Sequence, residues 1–425
     1  MLDIQIIREN PDLVRKASAD KKDPAEVDRI LALDEKRRLL IKETETLKSD
    51  RNSASKEVAR LKKQKGDASA LIAEMKRVSD RIKELDGQLA GLEGELRELM
   101  IRVPNLPHSS VKHGESARDN EILSEWGEGP AFGFEPLDHL QLASRLDIID
   151  FPRGAKIAGT GFGVYKGMGA LLERALINFM LDTHTRANGY REVFPPFLAN
   201  RESAFGTAQL PKAADQMYLI GDDNLFCIPT AEVPVTNLHR DEILDGAVLP
   251  IRYCAYSACF RREAGSWGKD TKGFLRVHQF NKVELVKFTR AENSYEELEC
   301  LTRDAEGILE ALNLRYRRVG LCDADLSFGS AKTYDLEVWA PGERAWLEAS
   351  SCSNFEDFQA RRMNLRYRPE GGGKPVFAHT LNGSGVATSR VIVALLETYQ
   401  TREGNVRVPD VLRPYMHGSE EICRS

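Results

Sequence analysis

Ten apolar residues, Leu71, Met75, Val78, Ile82, Leu85, Leu89, Leu92, Leu96, Leu99 and Val103, recur at alternating intervals of four and three. A seam of that period sustained without a miss predicts a coiled-coil helix. Upstream, Ile30, Leu33, Leu40, Leu47, Ala54, Val58 and Leu61 carry a weaker version of the same seam. Between the two lies Lys65-Gly66-Asp67, whose glycine is expected to make the reversal. The chain therefore reads as opening with an antiparallel helical hairpin, each arm about 50 Å long at 1.5 Å of rise per residue. Periodicity alone leaves a dimerising coiled coil open as the alternative.

Charge near the hairpin tip bears on that choice. Lys48, Arg51, Lys56, Arg60, Lys62, Lys63 and Lys65 stand against only Asp50 and Glu57, although the whole chain carries a formal net charge of −5. Such a run is commonly just a solvated helix face. On a protruding arm it is also where a nucleic-acid backbone would be met. No aromatic residue is interleaved, so the arm is expected to read shape and phosphates rather than bases.

At 425 residues the chain exceeds one ordinary core. Its hydrophobic content of 42% includes no apolar run of membrane-spanning length, and Met1-Leu2-Asp3-Ile4 lacks the layout of a signal peptide. Seven cysteines, an odd number without a CxxC pair, fit a reduced, cytoplasmic protein. Pro104, Pro107, Gly114, Gly127, Gly129, Pro130 and Gly133 mark 104–136 as linker, giving an arm over 1–103 and a second domain over 137–425. In that domain, amphipathic helices near 168–188 and 292–312 alternate with short strands, and Glu337 to Trp346 reads as two strands joined by a tight turn. The expected class is α+β, an antiparallel sheet flanked by helices.

Phosphate-binding glycine loops are missing: there is no Gly-x-x-x-x-Gly-Lys-Ser/Thr, and Gly383-Ser384-Gly385 lacks a third glycine. The informative segment is Phe260-Arg261-Arg262-Glu263, a Gly-rich loop from Ala264 to Gly273, then Arg276-Val277-His278-Gln279-Phe280. This resembles motif 2 of the class II aminoacyl-tRNA synthetases. The helix from Ala170 to Asn188 followed by Gly189 to Pro196 looks like motif 1, a dimer-interface element. Asn382 to Arg390 looks like motif 3, although Thr388 and Ser389 stand where glycine or an acidic residue is common. Thr230-Ala231-Glu232, Lys282-Val283-Glu284, Glu348-Ala349-Ser350-Ser351 and Thr380-Leu381-Asn382-Gly383-Ser384 stand in the order and spacing of bacterial seryl-tRNA synthetases, whose helical arm also matches.

The resemblance implies activation of serine by ATP with Mg²⁺, then transfer to tRNA(Ser) and to tRNA(Sec), by a homodimer that needs no zinc. Arg261 would grip the serine carboxylate and the α-phosphate, its planar fork suiting both. Phe280 and Arg390 would sandwich the adenine, and Glu263 would read its edge. Arg262, Arg276, Val277, Ala349 and Ser350 would complete the ATP site. Glu348 and Ser351 would hold Mg²⁺, as hard oxygen donors do. Thr230 and Glu232 would face the amino group of serine and Glu284 with Ser384 its hydroxyl, Ala231 and Asn382 completing the serine site. On chemical grounds His278 is structural, while Arg361, Arg362, Arg366 and Arg368 read as a solvated surface cluster, with contact to the tRNA acceptor stem as the alternative. Taken alone, Glu284 and Glu348 read as the solvent face of a strand, and Arg261 with Glu263 as a surface ion pair. Two rival functions lie nearby: a ligase charging an amino acid onto a carrier protein, which would lack the arm, and an inactive tRNA-binding homologue, which would lack the retained Arg261, Glu284 and Arg390.

Overall fold

The computed structural model describes residues 1–264 and 273–424, so most of the Gly-rich loop expected between Ala264 and Gly273 lies outside the described residues. The chain forms two compact units, Leu2–Pro104 and the chain from Asn105 on.

In the first unit two long helices, α1 (Val27–Lys63) and α2 (Ser69–Met100), pack along each other. All ten seam positions of α2 and its exit are at least half-buried, and Ile82 and Leu85 are fully inside. Each such side chain contributes about 1.5–3 kcal/mol of burial. The α1 seam reads weakly because polar residues fill its missing steps: Arg37 and Arg51 are part-buried and Thr44 is 3% exposed. Ion pairs cross between the helices, Glu43 with Arg81 at 2.9 Å and Lys48 with Asp86 at 3.1 Å. At its foot the buried Asp34 is ringed by Arg8, Arg37 and Arg38, each 3.2 Å away.

The reversal is not made by Gly66. Lys65 takes the left-handed conformation, with φ at +56°. Its N–H donates to Lys62 O and the N–H of Gly66 donates to Leu61 O at 2.9 Å, which closes the last turn of α1.

The second unit is built on one eight-stranded sheet. Its strands in chain order are β1 (Glu121–Trp126), β2 (Arg191–Glu192), β3 (Ile251–Phe260), β4 (Gln279–Thr289), β5 (Tyr316–Gly320), β6 (Lys332–Ala340), β7 (Ala345–Asn354) and β8 (His379–Ala387). They lie in the order β1-β5-β6-β7-β8-β4-β3-β2, antiparallel except for the edge pair β2 and β3. β1 falls inside the stretch expected to be linker, so that stretch is partly sheet. Strand alternation sends Val283, Leu285, Leu336, Val338, Cys352 and Leu381 to one face, where they form the main core. Helices α3 (Gly167–Arg186), α4 (Ser294–Ala311) and α5 (Thr388–Thr398) supply the rest of that core. Among the described residues no helix is long and apolar enough to cross a membrane.

Candidate active site

The opposite face of the sheet carries the chemistry. On β4 the period of two puts Phe280, Lys282 and Glu284 on one side. Across the ladder Glu284 pairs with Ser384, Asn382 with Ser353, and Ser351 with Asp335. Glu348 and Ser351 are three residues apart and would point to opposite faces of a regular strand. The register of β6 against β7 slips between Leu336 and Glu337, so that Glu337 opposes Glu348. That bulge brings Glu348 round to the face of Ser351.

This face borders a cleft of about 660 Å³ lined by Arg261, Glu263, Arg276, Phe280, Glu348 and Arg390 among others. The Arg261 guanidinium lies 5.1 Å from the centroid of the Phe280 ring, within cation–π range. Arg276 Nε donates to Glu263 Oε2 at 2.6 Å. Arg390, on the first turn of α5, donates to Glu348 O at 2.7 Å and pairs with its carboxylate at 3.3 Å. Two of these cations are thus matched to carboxylates, and all three line the cleft.

A buried polar cluster adjoins the cleft through Lys282 and Ser384, which line it. Thr230, Glu232 and Glu284 are 5%, 6% and 1% exposed. Thr230 Oγ1 donates to Glu284 Oε2 at 2.8 Å, and Lys282 forms an ion pair with the same oxygen. Gln359 Nε2 donates to Glu232 Oε1 at 2.7 Å, and Gln359 Oε1 accepts from Thr380 Oγ1 at 2.7 Å. Burial, and secondly the charge of Glu284, push the Glu232 carboxyl up to about 7. Two acidic groups clustered with several amide and hydroxyl groups beside the cleft suit a small ligand bearing an ammonium and a hydroxyl.

Comparison with known proteins matches residues 1–107 to the seryl-tRNA synthetase N-terminal domain and residues 218–399 to the class II tRNA synthetase core domain (G, H, P, S and T). The chain is 56% identical to a serine–tRNA ligase of Chloroherpeton thalassium, covering 99% of this chain and all of that one. It is 55% identical to the serine–tRNA ligase of Geobacillus kaustophilus over the full length of both. The chain belongs to the seryl-tRNA synthetase family. A solved relative, seryl-tRNA synthetase from Pyrococcus horikoshii complexed with ATP, superposes with a TM-score of 0.95 at 38% identity over the whole of both chains. Full-length agreement of this kind makes the chain a class II serine–tRNA ligase and disfavours the carrier-protein ligase and the inactive homologue.

Within this synthetase most expected site residues gather at the cleft or pocket, and some do not. Arg262 is exposed and absent from the cleft lining. Ser350 faces the other side of its strand, donating through Oγ to Ser384 O at 2.6 Å. Ala231 is fully buried in a hydrophobic cluster with Val286 and Phe288, so only its backbone can reach a ligand. Val277 and Ala349 do border the cleft. His278 accepts or donates at Nδ1 with Tyr218 Oη at 2.7 Å and stacks on Phe162, a packing role. The arginine cluster is not uniformly solvated: Arg362 is 8% exposed among Phe205, Phe328 and Phe358, and burial lowers its guanidinium to about 10.

Lys282, Asp335 and Gln359 received no role from the sequence. Lys282 stands inside Lys282-Val283-Glu284, two residues from both Phe280 and Glu284, and that spacing was the available clue. Asp335 and Gln359 sit beside Ser351 and Glu232 only through strand pairing and the placement of a short helix (Phe358–Met363), which no local pattern announces.

Proposed function

We propose that the cleft binds ATP and the adjoining pocket binds serine, so that the serine carboxylate attacks the α-phosphate and pyrophosphate leaves. The observation that carries this reading is that Phe280 and Glu284 share one face of β4, with Arg261 stacked over the first and Thr230 bonded to the second. The adenine lies on Phe280 and under Arg390, and Glu263 reads its edge. Arg261 bridges the serine carboxylate and the α-phosphate. Holding both reactants there supplies much of the rate, since the protein performs little covalent chemistry of its own.

Mg²⁺ fits the oxygen donors Glu348 and Ser351, which the bulge of β7 places together. Next to them Asp335 Oδ1 is buried without a hydrogen-bond partner, and its carboxyl is held well above the usual range by burial and then by Glu348. An uncompensated acidic group of this kind suits a divalent cation. The ion would neutralise charge on the leaving pyrophosphate. No zinc is assigned, because the pocket residues Thr230, Glu232, Glu284, Asn382 and Ser384 include no thiol.

The arm holds tRNA(Ser), and tRNA(Sec) as well, through Lys48, Arg51, Lys56, Arg60, Lys62, Lys63 and Lys65. Lys56, Lys62, Lys63 and Lys65 are exposed, whereas Lys48 and Arg60 each keep a carboxylate partner. A cytoplasmic homodimer is proposed across motif 1, where Phe194 is 74% exposed at the head of a cluster with Phe197 and Tyr256. The deciding experiment is amino-acid-dependent ATP–pyrophosphate exchange. Serine should support it and alanine should be about 10⁴-fold poorer, because the acceptor position on Glu284 meant for the substrate hydroxyl would stay unfilled. Equal exchange with both would end the serine assignment of the pocket.

A further inference from the structure

We propose that Lys282 is a positioning residue that exchanges partners during activation, holding Glu284 before serine binds and passing to the reacting carboxylate and α-phosphate afterwards. This rests on the assignment of Thr230, Glu232 and Glu284 to serine. Lys282 lies midway between Phe280 and Glu284 on the same strand face, about 6.6 Å along the strand from each. With adenine on the first and serine's polar groups on the second, the bond-forming atoms lie over Lys282.

The side chain is 6% exposed and borders the cleft. Its ammonium is committed to Glu284 Oε2, which already accepts from Thr230. Serine's own donors need that carboxylate. The arriving ammonium and hydroxyl can take over the acceptor positions on Glu284 that Lys282 and Thr230 hold before binding. Lys282 is then superfluous to Glu284, and a buried cation without a partner is costly. The negative charge within its reach is the serine carboxylate with the α-phosphate it approaches, which Lys282 then shares with Arg261 on the same cleft wall. As the carboxylate oxygen bonds to phosphorus and the bond to the bridging oxygen of pyrophosphate breaks with its electron pair, charge gathers on the phosphoryl oxygens. An ammonium already in place stabilises that charge without reorganisation.

Calorimetric binding of two probes to the full-length protein tests the exchange. Serinamide offers the ammonium and hydroxyl without a carboxylate, and the seryl sulfamoyl adenosine adds a mimic of the acyl phosphate. K282M should bind serinamide roughly tenfold more tightly, since no resident cation competes. It should bind the sulfamoyl adenosine at least about tenfold more weakly. In ATP–pyrophosphate exchange kcat should fall about 10²-fold with no rise in KM for serine, and K282R should recover part of it. Weaker binding of serinamide, a raised KM for serine or an unchanged kcat each overturns the proposal. K282Q carries the same comparison should K282M fail to fold. Failure of the underlying pocket assignment shows separately: E284Q would then bind serinamide as the unmodified protein does, whatever Lys282 does.

Discussion

The arm and the sheet face solve the problem of placing charge in opposite ways. On the arm, a one-dimensional period sets the geometry, and most of the cations proposed to meet tRNA hang on its outside, each nearly independent of the next. On the sheet, the functional groups come from four strands and their flanking segments, are mostly buried, and depend on one another for satisfied hydrogen bonds and charge. Errors on the arm should therefore add up gradually, whereas errors on the sheet face should be abrupt and local.

The largest expected effect separates the two regions outright. Replacing Glu35–Leu96 by a short turn should leave serine activation within about twofold, because every activating residue lies beyond Pro195. Aminoacylation should fall by about 10³-fold or more as the tethering of tRNA is lost. Pyrophosphate exchange and tRNA charging measured on the same preparation check this, with gel filtration alongside. A shortened protein that turns monomeric yet charges tRNA normally would make the hairpin a dimerisation device.

Next in size is the loss of one buried acceptor. Glu284→Ala removes a charge-assisted bond of about 1.5–3 kcal/mol, roughly 10- to 150-fold in kcat/KM for serine, with a much smaller change in KM for ATP. Thr230 and Lys282 would lose their shared partner at the same time, so the substitution should not be additive with T230A or K282M. Additivity would mean that the sheet face behaves like the arm after all.

Much of this was legible in the sequence, unevenly. The α2 seam named its helix almost to the residue, because heptads are a local code. The α1 seam was half hidden, because Arg37, Thr44 and Arg51 occupy positions that periodicity expects to be apolar. The reversal was assigned to Gly66 by composition, and hydrogen bonding assigns it to Lys65. Phe260 to Phe280 announced the cleft through resemblance, not through any pattern of burial. Nothing local could reveal that Glu348 and Ser351 share a face, since only a bulge read against β6 achieves it. The partnership of Gln359 with Glu232 spans 127 residues and lies equally out of reach.

A smaller effect follows from the raised Glu232 carboxyl. If its anionic form receives the ammonium of serine, kcat/KM should drop about tenfold per pH unit below 7 and level off above. The same shift has a stability consequence of definite sign. The folded protein retains a proton that the unfolded chain releases first, so this group lowers stability as pH rises from the ordinary carboxyl range toward 7. Glu232→Gln should flatten both profiles, read by initial rates and by thermal melts across pH 5 to 8. A pH profile unchanged in the variant would detach Glu232 from serine.

The smallest effect returns to the arm and tests whether its tip places charge deliberately. Lys65 holds a left-handed φ that costs a non-glycine residue about 1–2 kcal/mol, while the adjacent Gly66 does not need the freedom it has. Lys65→Gly relieves that strain but loosens the unfolded chain by about 0.4–1 kcal/mol, so the arm should gain at most about 1.6 kcal/mol. It should lose one phosphate contact, making log Kd for tRNA against log salt shallower by nearly one unit. The double change Lys65→Gly with Gly66→Lys keeps the stability and returns the charge one residue along. If the tip acts through diffuse charge, as a shape-reading arm should, this swap restores the salt slope. If it does not, the position of Lys65 matters as sharply as that of Glu284, and the contrast between a gradual arm and an abrupt sheet face breaks down at its apex.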